Sequence, residues 1–123
     1  MVTKNNGFLS SFSSATKGIG YVFHSERNFK IQSIFALLAI FCSFIFPLQR
    51  SEQLLIFVSV FSVLIMEICN TAVEKFSDLL KPRLHSYVKD VKNMMAGAVL
   101  LTSLLSVIIG LYIFVPYIFL LVY

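Results

Sequence analysis

Charged side chains are scarce in this sequence. Asp, Glu, Lys and Arg together make up 13% of its 123 residues, against 58% hydrophobic residues, and the mean hydropathy is +0.86. A soluble domain of this size exposes too much surface for such a composition. The composition therefore excludes a soluble domain and predicts a membrane protein, and the length predicts a single domain over residues 1–123.

Cysteine is scarce as well. Cys42 and Cys69 both lie within apolar runs, and neither belongs to a CxxC or Cys/His cluster. This excludes a cysteine-based zinc site or a disulfide framework, and we expect both thiols to be free and buried. Residues 1–18 lack the continuous apolar core and the small-residue cleavage site of a secretory signal, so no such signal is expected.

The sequence also lacks the pattern of a nucleic-acid-binding protein, although its net charge is +4. Its basic residues flank apolar segments and do not form a stripe with interleaved aromatic residues. Anionic lipid headgroups are the better counterpart for charges placed in this way. Nucleic acid is therefore not an expected partner, whereas a membrane is.

The first predicted helix, residues ~7–28, is amphipathic. Its apolar residues, such as Phe8, Phe12 and Ile19, recur at helical steps and are separated by serines. A helix of this kind lies in the membrane interface with its phenylalanines in the acyl boundary. A mobile serine-rich tail is the alternative, and the regular spacing of the phenylalanines favours the helix.

Three further segments are apolar enough to cross a membrane, which predicts an all-α, polytopic membrane protein. The second of them is expected to continue as a helix to residue 80, because Pro82 favours a stop just before it. Residues 81–93 are predicted to be a polar connection. The predicted spans are residues ~31–47, ~53–73 and ~94–122.

The basic residues are distributed unevenly around these spans. Nine of the ten lysines and arginines precede the first span or lie between the second and the third, and Arg50 alone lies in the first hairpin. Cytoplasmic segments carry the excess of Lys and Arg in membrane proteins. The N-terminus and residues 74–93 are therefore expected in the cytoplasm, and the C-terminus outside.

The stretch VLIMEICNTAVEKFSDLL, residues 63–80, places polar residues in an apolar helix. At ~100° per residue, Glu67, Asn70, Glu74 and Asp78 fall within about 80° of one another on the helix surface. Ionisable residues in or near a membrane are costly and usually mark a functional path. Glu67 and Asn70 are therefore predicted to be functional.

This face suits phosphoryl transfer from a nucleotide to a lipid hydroxyl. Glu67, at the lipid boundary, can accept a proton from an alcohol, and a carboxylate further out can hold Mg²⁺ together with substrate phosphates. For Glu74 and Asp78 the alternative is a solvated surface with ion pairs to Lys75 or Lys81. The sequence lacks GxxxxGK[ST] and the protein-kinase glycine loop, which excludes both of those kinase folds.

The motif MEICNTAVEKFSD, followed by His85, VKN and AGAVLL, resembles the signature of the small prokaryotic integral-membrane diacylglycerol kinases. That family includes the undecaprenol kinases of Gram-positive bacteria. Upstream, KGIGYVFHSERNFKIQ, residues 17–32, is similar to the family's segment before the first span. The resemblance covers roughly residues 12–102.

The resemblance implies an ATP- and Mg²⁺-dependent lipid kinase in the bacterial cytoplasmic membrane. It implies a homotrimer of three-span protomers, with composite active sites between neighbouring protomers at the cytoplasmic face. Diacylglycerol, converted to phosphatidic acid, is the acceptor expected first, and undecaprenol is the alternative. A second alternative is a non-catalytic bundle or transporter subunit, in which Glu67 and Asn70 only hydrogen-bond between helices.

The resemblance also implies a role for each residue that matches the motif. Without it, Glu26 reads as a surface glutamate paired with Arg27 or Lys30. Asn93 stands where the family commonly has aspartate, so this chain offers a neutral side chain there. The implied roles are catalysis for Glu67 (the base) and Asn70, metal binding for Glu26 and Glu74, and nucleotide binding for His85, Lys92 (on the phosphates) and Asn93.

Overall fold

Four α-helices account for nearly all of residues 7–123, which are the residues described by the computed structural model. Within that range there is no strand, and the last three helices are each long and apolar enough to cross a membrane. The helices are α1 (Gly7–Ser25), α2 (Arg27–Ile45), α3 (Arg50–Leu80) and α4 (His85–Val122). The predicted all-α class, one amphipathic helix followed by three candidate spans, is confirmed.

Helix α1 packs little against the other three. Val22 is its one buried residue, whereas Phe8 and Phe12 are exposed by 83% and 63%. Lys75 on α3 lies over the ring of Tyr21, 5.0 Å from the ring centroid, and this contact ties α1 to α3. The apolar face of α1 is thus left open to its surroundings, as expected for a helix at a membrane surface.

The first predicted helix does not run to residue 28. It ends at Ser25, and Glu26 has extended backbone angles (φ −114°, ψ 115°) before α2 begins at Arg27. The rings of Phe23 and Phe29 meet edge to face across this corner, with their centroids 6.4 Å apart. The corner turns the chain from α1 into α2 and places Glu26 at the break.

Two short connections define the two ends of the bundle. The hairpin end is formed by residues 46–49 between α2 and α3, and the connection end by residues 81–84 between α3 and α4. At the hairpin end the carboxylate of Glu52 accepts hydrogen bonds from the backbone N–H of Gln49 (2.9 Å) and from the hydroxyl of Tyr117 (2.6 Å). Glu52 thereby caps α3 and joins it to α4.

The prediction that residues 81–93 form a polar connection is wrong for residues 85–93, which are the first turns of α4. The polarity of this segment suggested a connection, but Leu84, Val88 and Val91 recur at helical spacing, and Val88 is buried with only 5% of its surface exposed. The true connection has only four residues, and Leu84 donates a backbone hydrogen bond to Leu80 (2.9 Å).

Helices α3 and α4 are longer than a membrane is thick. With 31 and 38 residues they measure about 46 and 57 Å, whereas the hydrocarbon core is about 30 Å thick. Because the two helices are antiparallel and joined by a short connection, they can extend beyond the membrane together at the connection end. The sequence predicts that about residues 53–73 of α3 span the membrane, so Glu74 and the residues after it are expected to lie outside the span.

The buried core lies where α2, α3 and α4 meet, and it is small. It is formed by Ala36, Ile56, Val60 and Ile113. Polar contacts join the same helices: the Ser59 hydroxyl donates to Ser106 (2.6 Å), and the Gln53 amide donates to the backbone carbonyl of Ser43 (3.2 Å). Interhelical hydrogen bonds and close packing hold helices together where lipid tails are as apolar as the side chains.

Large apolar side chains cover the outside of these helices, among them Phe35, Phe61 and Leu101, which are 55–68% exposed. Such a surface belongs in contact with acyl chains or with other helices. Both cysteines are free, as expected, but Cys69 is exposed and Cys42 half-buried in the single chain, so the expected burial of both thiols is not met.

We expect Ile56→Ala to destabilise the bundle by about 2 kcal/mol or more, because it opens a cavity in the core, where Ile56 is only 2% exposed. The matched control is Ile65→Ala on the same helix, where the side chain is 56% exposed and leaves no cavity. Unfolding midpoints in mixed detergent micelles, followed by circular dichroism, measure the difference. Equal losses for the two variants would contradict the position of the core.

Candidate active site

A row of polar side chains follows one side of α3 towards the connection end. Because α3 is a continuous helix through this region, the spacing of Glu67, Asn70, Glu74 and Asp78 keeps them on one side, as the sequence predicts. Glu67 is the deepest member and is buried, with 4% of its surface exposed. Asn70 and Glu74 are half-buried and Asp78 is exposed.

The Glu67 carboxylate is held by amide groups. The amide nitrogen of Gln32, on α2, donates to Oε1 at 3.1 Å, and the amide of Asn70 donates to Oε2 at 3.4 Å. Thr71, which is buried, donates its hydroxyl to the backbone carbonyl of Glu67 at 3.1 Å. The single salt bridge found among residues 7–123 does not involve Glu67. A carboxylate in this setting is available to a proton donor that enters from outside the chain.

Glu26 and Glu74 come from different helices and are near enough to influence each other. Burial raises the pKa of Glu74 above its ordinary value, and the negative charge of Glu26 raises it further. The positive charge of Lys92 opposes this increase. Two carboxylates that repel each other in this way suit a cation placed between them.

These two carboxylates do not form a complete metal site. Across the described part of the chain, no three His, Cys, Asp or Glu side chains come together closely enough to hold a metal ion. Mg²⁺, however, is usually bound by one or two carboxylates together with substrate phosphates and water. Glu26 and Glu74 fit that donor set, and a nucleotide would supply the remaining oxygen ligands.

Lys92 joins the row on α3 to α4. Its ammonium lies 2.9 Å from the Asp78 carboxylate, and this hydrogen bond holds the pKa of Asp78 below its ordinary value. The sequence suggested Lys75 or Lys81 as partners for the outer acids, but Asp78 pairs with Lys92. Because the Asp78 side chain is 62% exposed, the pair adds little to stability, and Lys92 can exchange Asp78 for a phosphate.

The three residues predicted to bind the nucleotide lie around one cavity of about 200 Å³ at the start of α4. Three lysines surround this cavity, which makes it suitable for phosphate groups. The lining residues are Lys81, His85, Val88, Lys89, Lys92 and Asn93. Lys81 and Lys89 were not among the predicted binding residues, although both occur in the polar run KPRLHSYVKDVKN.

The structure therefore brings the predicted residues together in one region at the connection end. Asn70 contacts Glu67, and the charges of Glu67 and Glu26 both act on Glu74. The charge of Lys92, which lines the cavity at the start of α4, also acts on Glu74. Sequence reasoning missed Gln32, whose amide contacts Glu67. The available signal was an amide side chain inside the apolar run IQSIFALLAIFCSFIFP, but nothing in the sequence pairs it with α3.

The chain matches one known protein family over most of its length. A family model described as prokaryotic diacylglycerol kinase matches residues 13–114, a range that includes every predicted site residue. The chain is 36% identical over 111 residues to the undecaprenol kinase of Bacillus subtilis (strain 168), and the match covers 90% of each protein. It is 33% identical over 103 residues to the diacylglycerol kinase of Synechocystis sp., covering 83% of this chain and 59% of that protein.

Both relatives are named as kinases that phosphorylate a lipid alcohol. The family match extends from α1 into the second half of α4, so it covers the helices that carry the site as well as the core. The chain therefore belongs to the prokaryotic diacylglycerol kinase family.

Proposed function

We propose that this protein transfers the γ-phosphoryl group of ATP to the hydroxyl of a membrane lipid at the connection end of the bundle. One observation carries the proposal: Glu67, a buried carboxylate with no cationic partner among residues 7–123, begins a row that leads to a lysine-lined cavity. A lipid hydroxyl can reach such a carboxylate from the membrane, and a nucleotide can reach the cavity from water. The row lies between the two reactants.

Glu67 acts as the general base in this proposal. As the lipid oxygen attacks the γ-phosphorus, the bond to the bridging oxygen of ADP breaks, and the hydroxyl proton passes to the Glu67 carboxylate. Asn70 donates to the same carboxylate and orders it. Water is excluded because Glu67 is buried between α2 and α3.

The outer residues bind the nucleotide. Glu26 and Glu74 would hold Mg²⁺, which neutralises phosphate charge when bound, and Lys92 would leave Asp78 for the phosphates. His85 and Asn93 line the cavity beside Lys92 and would contact the rest of the nucleotide. Asn93 can donate and accept hydrogen bonds but brings no negative charge towards the phosphates.

For the acceptor we place undecaprenol first and diacylglycerol second, the reverse of the order expected from the sequence. The relative named undecaprenol kinase matches this chain at 36% identity over 90% of both proteins. The relative named diacylglycerol kinase matches at 33% identity and is covered over 59% of its length. The extent of the match thus favours a polyprenol, and the second relative supports diacylglycerol as the other candidate.

We further propose a homotrimer in the bacterial cytoplasmic membrane, with the connection end in the cytoplasm and the C-terminus outside. Eight basic residues in the described part of the chain precede the first predicted span or lie between the second and the third, which supports the orientation. A ninth, Lys4, lies outside the described residues. Asn70 and Glu74 are only half-buried within the protomer, which leaves room for a neighbouring copy to complete the site. The resemblance of the motif to the family's signature supports the trimer.

We expect Glu67→Gln to lower kcat by about 10²–10⁴-fold, because a neutral amide cannot accept the proton. The variant keeps an oxygen that can accept from Gln32, so the fold and any trimer should persist in size-exclusion chromatography. The control is Glu52→Gln, at the opposite end of the same helix, which should leave turnover unchanged. If Glu67→Gln retains its rate and changes only the oligomeric state, the non-catalytic alternative is correct.

We expect Glu26→Gln and Glu74→Gln each to raise the Mg²⁺ concentration for half-maximal activity by roughly tenfold or more, because each removes one carboxylate ligand. Asp90→Asn, a charge-matched change on an exposed part of α4, is the control and should leave the Mg²⁺ dependence unaltered. Titration of Mg²⁺ at saturating ATP measures the effect. An unchanged Mg²⁺ dependence in both glutamate variants would remove the proposed metal site.

We expect the purified protein to phosphorylate undecaprenol with a higher kcat/KM than diacylglycerol, because the relative that is matched over 90% of both proteins is named undecaprenol kinase. Transfer of labelled γ-phosphate to each lipid in the same detergent measures this preference. A higher value for diacylglycerol would restore the acceptor order expected from the sequence. Transfer to neither lipid, with ATP and Mg²⁺ present, would overturn the proposed reaction.

A further inference from the structure

The two polar atoms of the Gln32 side chain differ in their contacts: the nitrogen has a hydrogen-bond partner, and the oxygen has none among residues 7–123. Its amide nitrogen, on α2, donates to Oε1 of Glu67, on α3, at 3.1 Å. Its own oxygen Oε1 is buried and has no hydrogen-bond partner among residues 7–123. Gln32 also borders a groove lined by apolar side chains such as Phe35 and Val63.

The orientation of the Gln32 amide follows from these contacts. A buried carbonyl oxygen without a partner is costly, so some stronger interaction must hold the amide in place. Turning the amide over would bring its oxygen against the Glu67 carboxylate, and two acceptors repel each other. The charge-assisted hydrogen bond from the amide nitrogen to Glu67 therefore fixes the orientation of the Gln32 amide.

The two oxygens of Glu67 are consequently not equivalent. Oε1 receives the interhelical hydrogen bond from Gln32 at 3.1 Å. Oε2 has only the contact from Asn70 at 3.4 Å, which is long for an N–H···O hydrogen bond and leaves lone-pair capacity free. Asn70 also sits on the same helix as Glu67, so it cannot fix the carboxylate relative to α2.

We propose that Gln32 is a positioning residue for the reaction: it occupies Oε1 of Glu67 and thereby presents Oε2 to the acceptor hydroxyl. The inference rests on the proposed role of Glu67 as base. Gln32 does not touch the reacting atoms and acts through Glu67 alone. A rotated carboxylate would offer its proton-accepting lone pair in the wrong direction, and general base catalysis depends on that geometry.

The test replaces Gln32 by Met, which keeps the length and removes the amide. We expect kcat to fall by about tenfold to a hundredfold, the range that corresponds to one charge-assisted hydrogen bond. The KM for ATP should stay unchanged, because Gln32 lies away from the nucleotide cavity. Gln32→Asn stays polar but is too short to reach Glu67. It should likewise lower kcat and leave the KM for ATP unchanged.

Gln53→Met is the matched control. The Gln53 amide also donates across the α2–α3 interface, to the backbone carbonyl of Ser43 at 3.2 Å, but at the hairpin end. Replacing Gln53 by Met removes an interhelical hydrogen bond comparable to that of Gln32. Thermal stability should therefore fall by a similar amount in Gln53→Met and Gln32→Met. Only the Gln32 variant should lose kcat, because only Gln32 contacts the base.

A double-mutant cycle with Glu67→Gln separates positioning from a general structural effect. If Gln32 acts only through the carboxylate, Gln32→Met should cause no further loss of turnover in the Glu67→Gln background. If Gln32→Met caused the same fold-loss in the wild type and in Glu67→Gln, the proposal would be overturned. Full kcat in both Gln32 variants, or an equal loss of kcat in Gln53→Met, would also overturn it. Full activity of Glu67→Gln itself would refute the proposed function instead.

Discussion

The burial of one carboxylate in an apolar helix is the constraint on which the rest of this structure depends. An ionised carboxylate in a medium of low polarity is unfavourable unless it is hydrogen-bonded or paired. Glu67 is 4% exposed and is held by amides from two helices, and no salt bridge in the described part of the chain involves it. In the proposed reaction this carboxylate is the group that receives the proton of the lipid hydroxyl.

In the proposed reaction, the lengths of α3 and α4 would allow the two reactants to meet at this carboxylate. A lipid alcohol stays at the membrane surface, whereas a nucleotide stays in water, and a site for both must cross that boundary. Because both helices are longer than the hydrocarbon core is thick, they can extend beyond it at the connection end and carry the outer part of the row on α3 into water. Lys92 of α4 lies beside Asp78, the outermost member of that row. The short connection of residues 81–84 keeps the two helices in register.

Much of this arrangement could be predicted from the sequence, because it follows from helical periodicity. Local patterns predict the three candidate spans and the family. They also predict that one face of α3 carries Glu67, Asn70, Glu74 and Asp78. The errors occurred where tertiary contacts override local polarity. The polar residues at the start of α4 predict a connection because the burial of Val88 depends on tertiary packing. The break at Glu26 cannot be predicted from local sequence, because no glycine or proline marks it.

The sequence by itself determined which residues share the face of α3, since 3.6 residues per turn fixes that relation within one helix. It could not determine which side chains from other helices meet that face. That Gln32 reaches Glu67, that Glu26 lies near Glu74, and that Lys92 pairs with Asp78 depends on how α2, α3 and α4 pack. Only the tertiary structure decided these contacts, because the crossing of two helices is set by the packing of their side chains and not by the periodicity of either one.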